Sequence, residues 1–249
     1  MSAALVTVWL AVAHLVSGIL ALTSCNPLYK RNYRWVRCSP EAAINKESLK
    51  LFYAPGACSL SPHIVAREAG LELQLEKVDF SSRTVGNGAA YGSINPKGYV
   101  PALQLDDGEL LTEGPAIVQY LADCSPDTGL APAAGTRERY RLAEMLTYIN
   151  SEIHKSYSPL FNPATPAALR DERIAHLQKR YRLLEIRLSE HSYLVGERFS
   201  VADAYLFVVT RWADHLKVDL SAFPNVLAFQ KRIGARPAVQ AAVKAEGLA

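Results

Sequence analysis

Cys58, Glu113 and His154 are the side chains in this chain of 249 residues whose types and surroundings suit chemistry. Cys58 lies in Ala54-Pro55-Gly56-Ala57-Cys58-Ser59-Leu60-Ser61-Pro62-His63, after the apolar run Leu49 to Tyr53. Leu51, Phe52 and Tyr53 favour a strand and Pro55-Gly56 a turn. Ser59 or Ser61 can cap a helix with Pro62 at its first position, striped by Ile64, Val65 and Ala69 and stopped by Gly70. Free N–H groups and the macrodipole at such a helix mouth favour a thiolate over a thiol, and favour an anion brought beside it. The plainer alternative is a small buried Cys in a strand-to-helix turn.

Glu113 stands in Thr112-Glu113-Gly114-Pro115, at the mouth of a helix running through Ala116 to Leu121. Its carboxylate can bind an ammonium, while N–H groups at Gly114 and the helix start can hold a carboxylate. In isolation, an acidic residue at a helix N-terminus also needs no ligand to explain it. His154 shares a polar flank with Thr147 and Ser151 on a helix predicted from Arg137 to about Tyr157, whose core stripe is Leu142, Met145, Leu146, Ile149 and Ile153. A lone helical His is more often a surface or satisfied core residue.

The elements positioning these groups alternate at first. Leu71, Leu73, Leu75 and Lys77-Val78 read as a second strand, parallel to the first with a right-handed crossover. Ser81 to Gly98 reads as a loop with at most a short helix. Ala102 to Leu105 and Glu109 to Leu111 flank Asp107-Gly108, a hairpin signal, which completes a four-stranded mixed sheet. After Pro126, Gly129, Pro132 and Gly135 the pattern is all helical. Predicted helices run over Asp171 to Glu190, Ala204 to Trp212, Phe223 to Ile233 and Pro237 to Ala245. Ser200-Val201-Ala202-Asp203 is a capping box with no catalytic role.

The chain divides into three zones: 1–48, an apolar leader and basic linker; 49–126, the mixed sheet domain; and 136–249, the helical domain. A net charge of +3 is too small and too evenly spread to argue for nucleic acid, which is not expected as a partner, and no metal-ligand spacing is present. The four cysteines (Cys25, Cys38, Cys58 and Cys124) form no disulfide scaffold, which fits a reducing compartment.

Ala3 to Leu22 is an uncharged run of 20 residues, long enough to cross a bilayer, and Lys30, Arg31, Arg34 and Arg37 would keep the rest of the chain in the cytoplasm. A cleaved signal lacks its basic start, although Leu22-Thr23-Ser24-Cys25 has the look of a lipoprotein cleavage box. The favoured expectation is a cytoplasmic protein beginning at or near Leu49. Its rival is an inner-membrane anchor with the catalytic domain facing the cytoplasm.

The order βαβ, loop, ββ, α with a Cys at the first helix mouth is thioredoxin-like. The segment from Leu49 resembles the bacterial beta-class glutathione S-transferases in three strings: Lys50-Leu51-Phe52-Tyr53 through His63, Asn95-Pro96-Lys97-Gly98-Tyr99-Val100-Pro101-Ala102-Leu103, and Leu111 through Ile117. Asn150 through Phe161 is similar to the segment by which that class brings a His to its cleft. The resemblance extends over about Leu49 to Ala249 and implies a thioredoxin-like domain followed by a helical transferase domain.

It also implies roles. Val100-Pro101 would be a cis bond exposing the Val100 backbone to the cysteinyl unit of glutathione, and Glu113-Gly114 would receive the γ-glutamyl end. Family members often carry Ser where Gly114 stands. Cys58 would stabilise the glutathione thiolate or exchange with it as a mixed disulfide, and His154 would polarise the sulfur pair. Tyr53 is a decoy at the position where other classes place a catalytic hydroxyl. Ser59 is a secondary donor, and Arg83, Ser151 and Lys155 are further ligand contacts. The implied activity is conjugation of glutathione, a co-substrate rather than a cofactor, to a small hydrophobic electrophile by a homodimer. The alternatives are a glutathione-dependent thiol-disulfide oxidoreductase and a non-catalytic binding protein.

Overall fold

Alternation along the first strand buries both faces of a sheet, because successive side chains of an extended chain point to opposite sides. The computed structural model describes residues 49–248, so the apolar run 3–22 and the basic stretch 30–37 lie outside the described residues. β1 (Lys50–Tyr53), β2 (Gln74–Asp79), β3 (Thr84–Val85), β4 (Ala102–Gln104) and β5 (Leu110–Thr112) form one sheet in the order β3-β2-β1-β4-β5. β1 and β2 run parallel, with Leu51 opposite Leu75, and the remaining pairs are antiparallel.

Leu51 and Leu103 pack into the main core with Ile64 of α1 (Leu60–Glu68) and with Ile117 and Leu121 of α3 (Gly114–Asp123). Phe52 and Ala102 face the other way, joining Val78, Val85, Val100 and Tyr91 of the short α2 (Tyr91–Ile94). This is a thioredoxin-like domain with one strand more than expected. The added β3 and α2 come from the Gly-, Ser- and Asn-rich stretch, whose function is visible in its hydrogen bonds. The Tyr91 hydroxyl and the Asn95 Nδ2 both donate to the Tyr99 carbonyl at 2.8 Å, fixing the approach to the Val100-Pro101 peptide, which is cis.

The remainder is helical: α4 (Arg137–Tyr148), a π-helical stretch Ile149–His154, α5 (Lys155–Tyr157), α6 (Ala167–Glu190), α7 (Val201–Thr210), α8 (Trp212–Leu216), α9 (Pro224–Gly234) and α10 (Pro237–Ala245). The predicted continuous helix from Arg137 to Tyr157 therefore widens for one turn. Ile149 and Ile153 stay in the core through that turn, while Asn150 and His154 line a cleft. Such wide turns recur at functional positions. The helix predicted from Ala204 to Trp212 begins at Val201 and ends at Thr210. At its start the buried Asp203 carboxylate accepts from the N–H and hydroxyl of Ser200 and from the Leu194 N–H, at 2.7 to 2.9 Å.

The chain's C-terminal segment clamps α1 at both ends. Arg236 grips Glu68 with two bonds of 2.6 and 2.8 Å, and Glu246 accepts from His63 Nδ1 at 2.9 Å. Because Arg67 Nε donates to His63 Nε2, the His63 proton lies on Nδ1 and is donated to Glu246. The other Glu246 oxygen takes the Gly56 N–H at 3.0 Å, and Trp212 Nε1 donates to the Gly56 carbonyl at 2.9 Å. The turn that carries Cys58 is thus anchored from the helical domain on both faces of one peptide unit pair. No helix among the described residues is long and apolar enough to cross a membrane.

Candidate active site

A cleft of about 400 Å³ between the two domains is lined by Cys58, Val100, Pro101, Glu113, Gly114, His154 and Lys155, together with Asn95, Lys97, Tyr99, Thr112, Asn150, Ser158 and Tyr205. The first seven are expected from sequence, and they come from the Cys58 turn, the cis-Pro segment, the hairpin end and the widened helix.

Cys58 precedes the first residue of α1 by two positions, and Pro62 is the third helical residue rather than the first. The expectation of a thiolate held by the helix mouth is not met. Burial pushes the Cys58 thiol up to about 12, outweighing hydrogen bonds from the turn and the favourable charge of Lys155. The thiol donates to the Val100 carbonyl at 3.2 Å. Since alkylation requires the thiolate, Cys58 in the native protein is expected to react with iodoacetamide at neutral pH more slowly than an unperturbed cysteine. Peptide mass spectrometry after timed quenching measures this, and labelling as fast as in the unfolded chain would contradict it.

Ser59 lies outside the cleft lining. It is fully buried, and its hydroxyl accepts from the Ala54 N–H at 3.1 Å and donates to the Ala54 carbonyl at 3.2 Å, so it closes the turn instead of reaching the cleft. Arg83 lies outside the cleft lining, in the turn before β3, and Ser151 is spent on the Thr147 carbonyl at 3.0 Å. Tyr53 packs against the main core and does not line the cleft, as its reading as a decoy requires.

Glu113 has φ +72° and ψ 113°, a conformation that an L side chain seldom adopts and that costs about 1–3 kcal/mol. Its side chain makes no capping hydrogen bond to the helix that it precedes. Instead it pairs with Lys97 at 2.7 Å, and Lys97 also donates to Thr112 Oγ1 at 2.9 Å. Of the helix-start donors, Ala116 and Ile117 close onto the Glu113 carbonyl and Pro115 has no N–H, so Gly114 supplies the backbone donor at this end of the cleft. A Cβ on Gly114 would meet Pro101 at an ordinary 3.9 Å, so a Ser would fit there.

His154 is neither a surface His nor a plain core one. Its Nδ1 lies 2.6 Å from the Tyr205 hydroxyl, and its ring meets Trp212 edge-on with centroids 5.0 Å apart. Burial, followed by the Lys155 charge, pulls its pKa down to about 4, so it is neutral at physiological pH. Lys155 stretches over the exposed Tyr99 ring, 5.9 Å from its centroid. Among the described residues no cluster of three or more His, Cys, Asp or Glu is placed to hold a metal ion.

Residues 56–124 match the family described as glutathione S-transferase, N-terminal domain, and residues 147–237 match the glutathione S-transferase, C-terminal domain. Glutathione S-transferase GstA of Escherichia coli O157:H7 is 47% identical over 200 residues, spanning 80% of this chain and 100% of that protein. The chain belongs to the glutathione S-transferase family. Its likeness to the beta class is borne out by a bacterial beta-class glutathione S-transferase of Sphingomonas chungbukensis, 47% identical with a TM-score of 0.78 over 80% of this chain and all of the other. A sphingomonad glutathione S-transferase solved in complex with glutathione is 46% identical, also with a TM-score of 0.78 and the same coverage.

Proposed function

We propose that this transferase-family chain conjugates glutathione to small hydrophobic electrophiles in the cleft between its domains. The observation that carries the reading is the convergence, on one cleft, of the Val100-Pro101 segment, a strained Glu113 whose carboxylate is turned away from capping, and the Cys58 and His154 side chains.

The γ-glutamyl ammonium takes the place of the Lys97 ammonium on Glu113, and the cysteinyl unit pairs with the Val100 backbone. That pairing claims the carbonyl to which Cys58 now donates. Cys58 then turns its S–H to the glutathione sulfur and stabilises the developing thiolate as a neutral donor. Lys155 adds positive charge across the same space. The electrophile meets an aromatic wall, since the half-exposed Phe161 packs edge-on against Trp212, which in turn touches His154.

Thiol-disulfide exchange at Cys58 ranks second, because a protonated thiol is a poor nucleophile and no Cys-x-x-Cys partner is present. Purified protein is expected to accelerate the reaction of glutathione with a chlorodinitrobenzene-type electrophile, with saturation in glutathione. Reduction of a glutathione mixed disulfide without conjugation would replace this reading by the oxidoreductase one, and binding without either turnover would make the chain a binding protein.

The working form is a cytoplasmic homodimer pairing the thioredoxin-like domain of one copy with the helical domain of the other. Phe80 and Tyr140, exposed large side chains on the two domains, are the kind of surface such pairing covers. Sedimentation of the same preparation is expected at twice the chain mass.

A further inference from the structure

Tyr205 belongs to α7, where ten consecutive residues are buried and a Tyr reads as core. Its hydroxyl is nevertheless bonded on two sides. It donates to Asn150 Oδ1 at 2.9 Å, and it lies 2.6 Å from His154 Nδ1. A phenol has one proton, and a side-chain carbonyl oxygen can only accept. With that proton committed to Asn150, the bond to the imidazole is made by the Nδ1–H of His154, and the ring's lone pair is left on Nε2.

We propose that Tyr205 and Asn150 are positioning residues that lock His154 in the Nδ1–H tautomer, so that Nε2 accepts the proton of the glutathione thiol. The inference rests on the proposed conjugation for its last step, but the tautomer itself does not depend on it. The widened turn at Ile149–His154 brings Asn150 and His154 to the same hydroxyl, and edge-on contact with Trp212 restrains the ring. In the step itself the S–H bond of glutathione breaks, its proton passes to Nε2, and both electrons remain on sulfur. Sulfur then forms the bond to the electrophilic carbon while the bond from that carbon to its leaving group breaks, the group departing with the bonding pair, and the imidazolium returns its proton to that group or to water. The imidazolium needs no new partner on its far side, because Nδ1–H already donates to Tyr205.

The charged and titratable groups facing this chain of bonds are Lys155 on the same helix, Cys58 from the α1 mouth and Glu113 from the hairpin end. Lys155 opposes a charge on the ring, and with burial keeps it neutral through the working pH range.

Two measurements test the proposal. Long-range proton–nitrogen correlation spectra of the full-length protein without glutathione report which ring nitrogen of His154 is protonated. The expected result is Nδ1–H in the native protein and a mixture in Tyr205→Phe, which keeps the ring packing. A native His154 protonated on Nε2 overturns the proposal whatever the enzyme's activity. In conjugation kinetics, Tyr205→Phe is expected to lower kcat about 10- to 100-fold with little change in the glutathione KM. Asn150→Asp, which keeps an acceptor for Tyr205 and adds negative charge, is expected to retain more activity and to move an acid limb of the rate profile to higher pH. Equal loss in both variants with an unmoved pH profile marks the residues as merely structural and overturns the proposal.

Discussion

Glu113→Ala is expected to raise the glutathione KM about 10- to 150-fold, the cost of a lost charge-assisted bond of roughly 1.5–3 kcal/mol. The turnover rate at saturation changes far less, since the carboxylate sits at the opposite end of the ligand from the sulfur. Lys97 loses its partner in this variant, but its side chain is exposed and is satisfied by water. Glu113→Gly separates binding from folding. It relieves the positive φ, so the melting temperature holds or rises while the KM climbs as in the Ala variant. Steady-state kinetics with varied glutathione decide it, and an unchanged KM in both variants would move the ligand's ammonium elsewhere.

Glu246→Leu has the largest expected effect on stability. The side chain is fully buried and accepts from both the His63 Nδ1–H and the Gly56 N–H. Leaving the buried neutral His63 donor without an acceptor costs about 1–3 kcal/mol. For a chain of this size that corresponds to a fall in melting temperature of roughly 2–12 °C. Glu246→Gln retains one acceptor and loses less. Because Gly56 lies in the turn that carries Cys58, conjugation by the Leu variant should fall even at temperatures where it remains folded. Thermal melts of the three proteins make the comparison, and a Leu variant as stable as the native chain would contradict the clamp.

The features legible in the sequence were those built from contiguous residues. β1, the Cys58 turn, the Asp107-Gly108 hairpin and the Ser200-Asp203 box each declare themselves within a few positions, and the resemblance implies the cis state of Val100-Pro101, which the residues alone allow but do not make the default. The clamp was not legible, because His63 and Glu246 are 183 positions apart and each alone is an ordinary polar residue of a helix end. Tyr205 was hidden by its neighbours: in a helix apolar on all sides, periodicity marks it as core. Lys97 lay in plain view between Asn95 and Leu103, but its partner Glu113 comes from another strand end. Ser59 reads as a donor from sequence because a serine at a helix mouth has two ways to spend its hydroxyl, and only the geometry shows that it closes onto Ala54. The thiolate expectation failed on magnitude. The helix mouth does help the charged form, but desolvation at Cys58 is the larger effect.

The central claim is that Glu113 receives the ammonium of glutathione in the cleft that also holds Cys58 and His154. Calorimetric titration of native and Glu113→Ala protein, each with glutathione and with its analogue lacking the γ-glutamyl amino group, tests it as a thermodynamic cycle. The native protein is predicted to bind glutathione about 10- to 150-fold more tightly than the deaminated analogue, and the Ala variant to bind the two alike. A native protein that does not distinguish them, or an Ala variant that still does, would contradict the account.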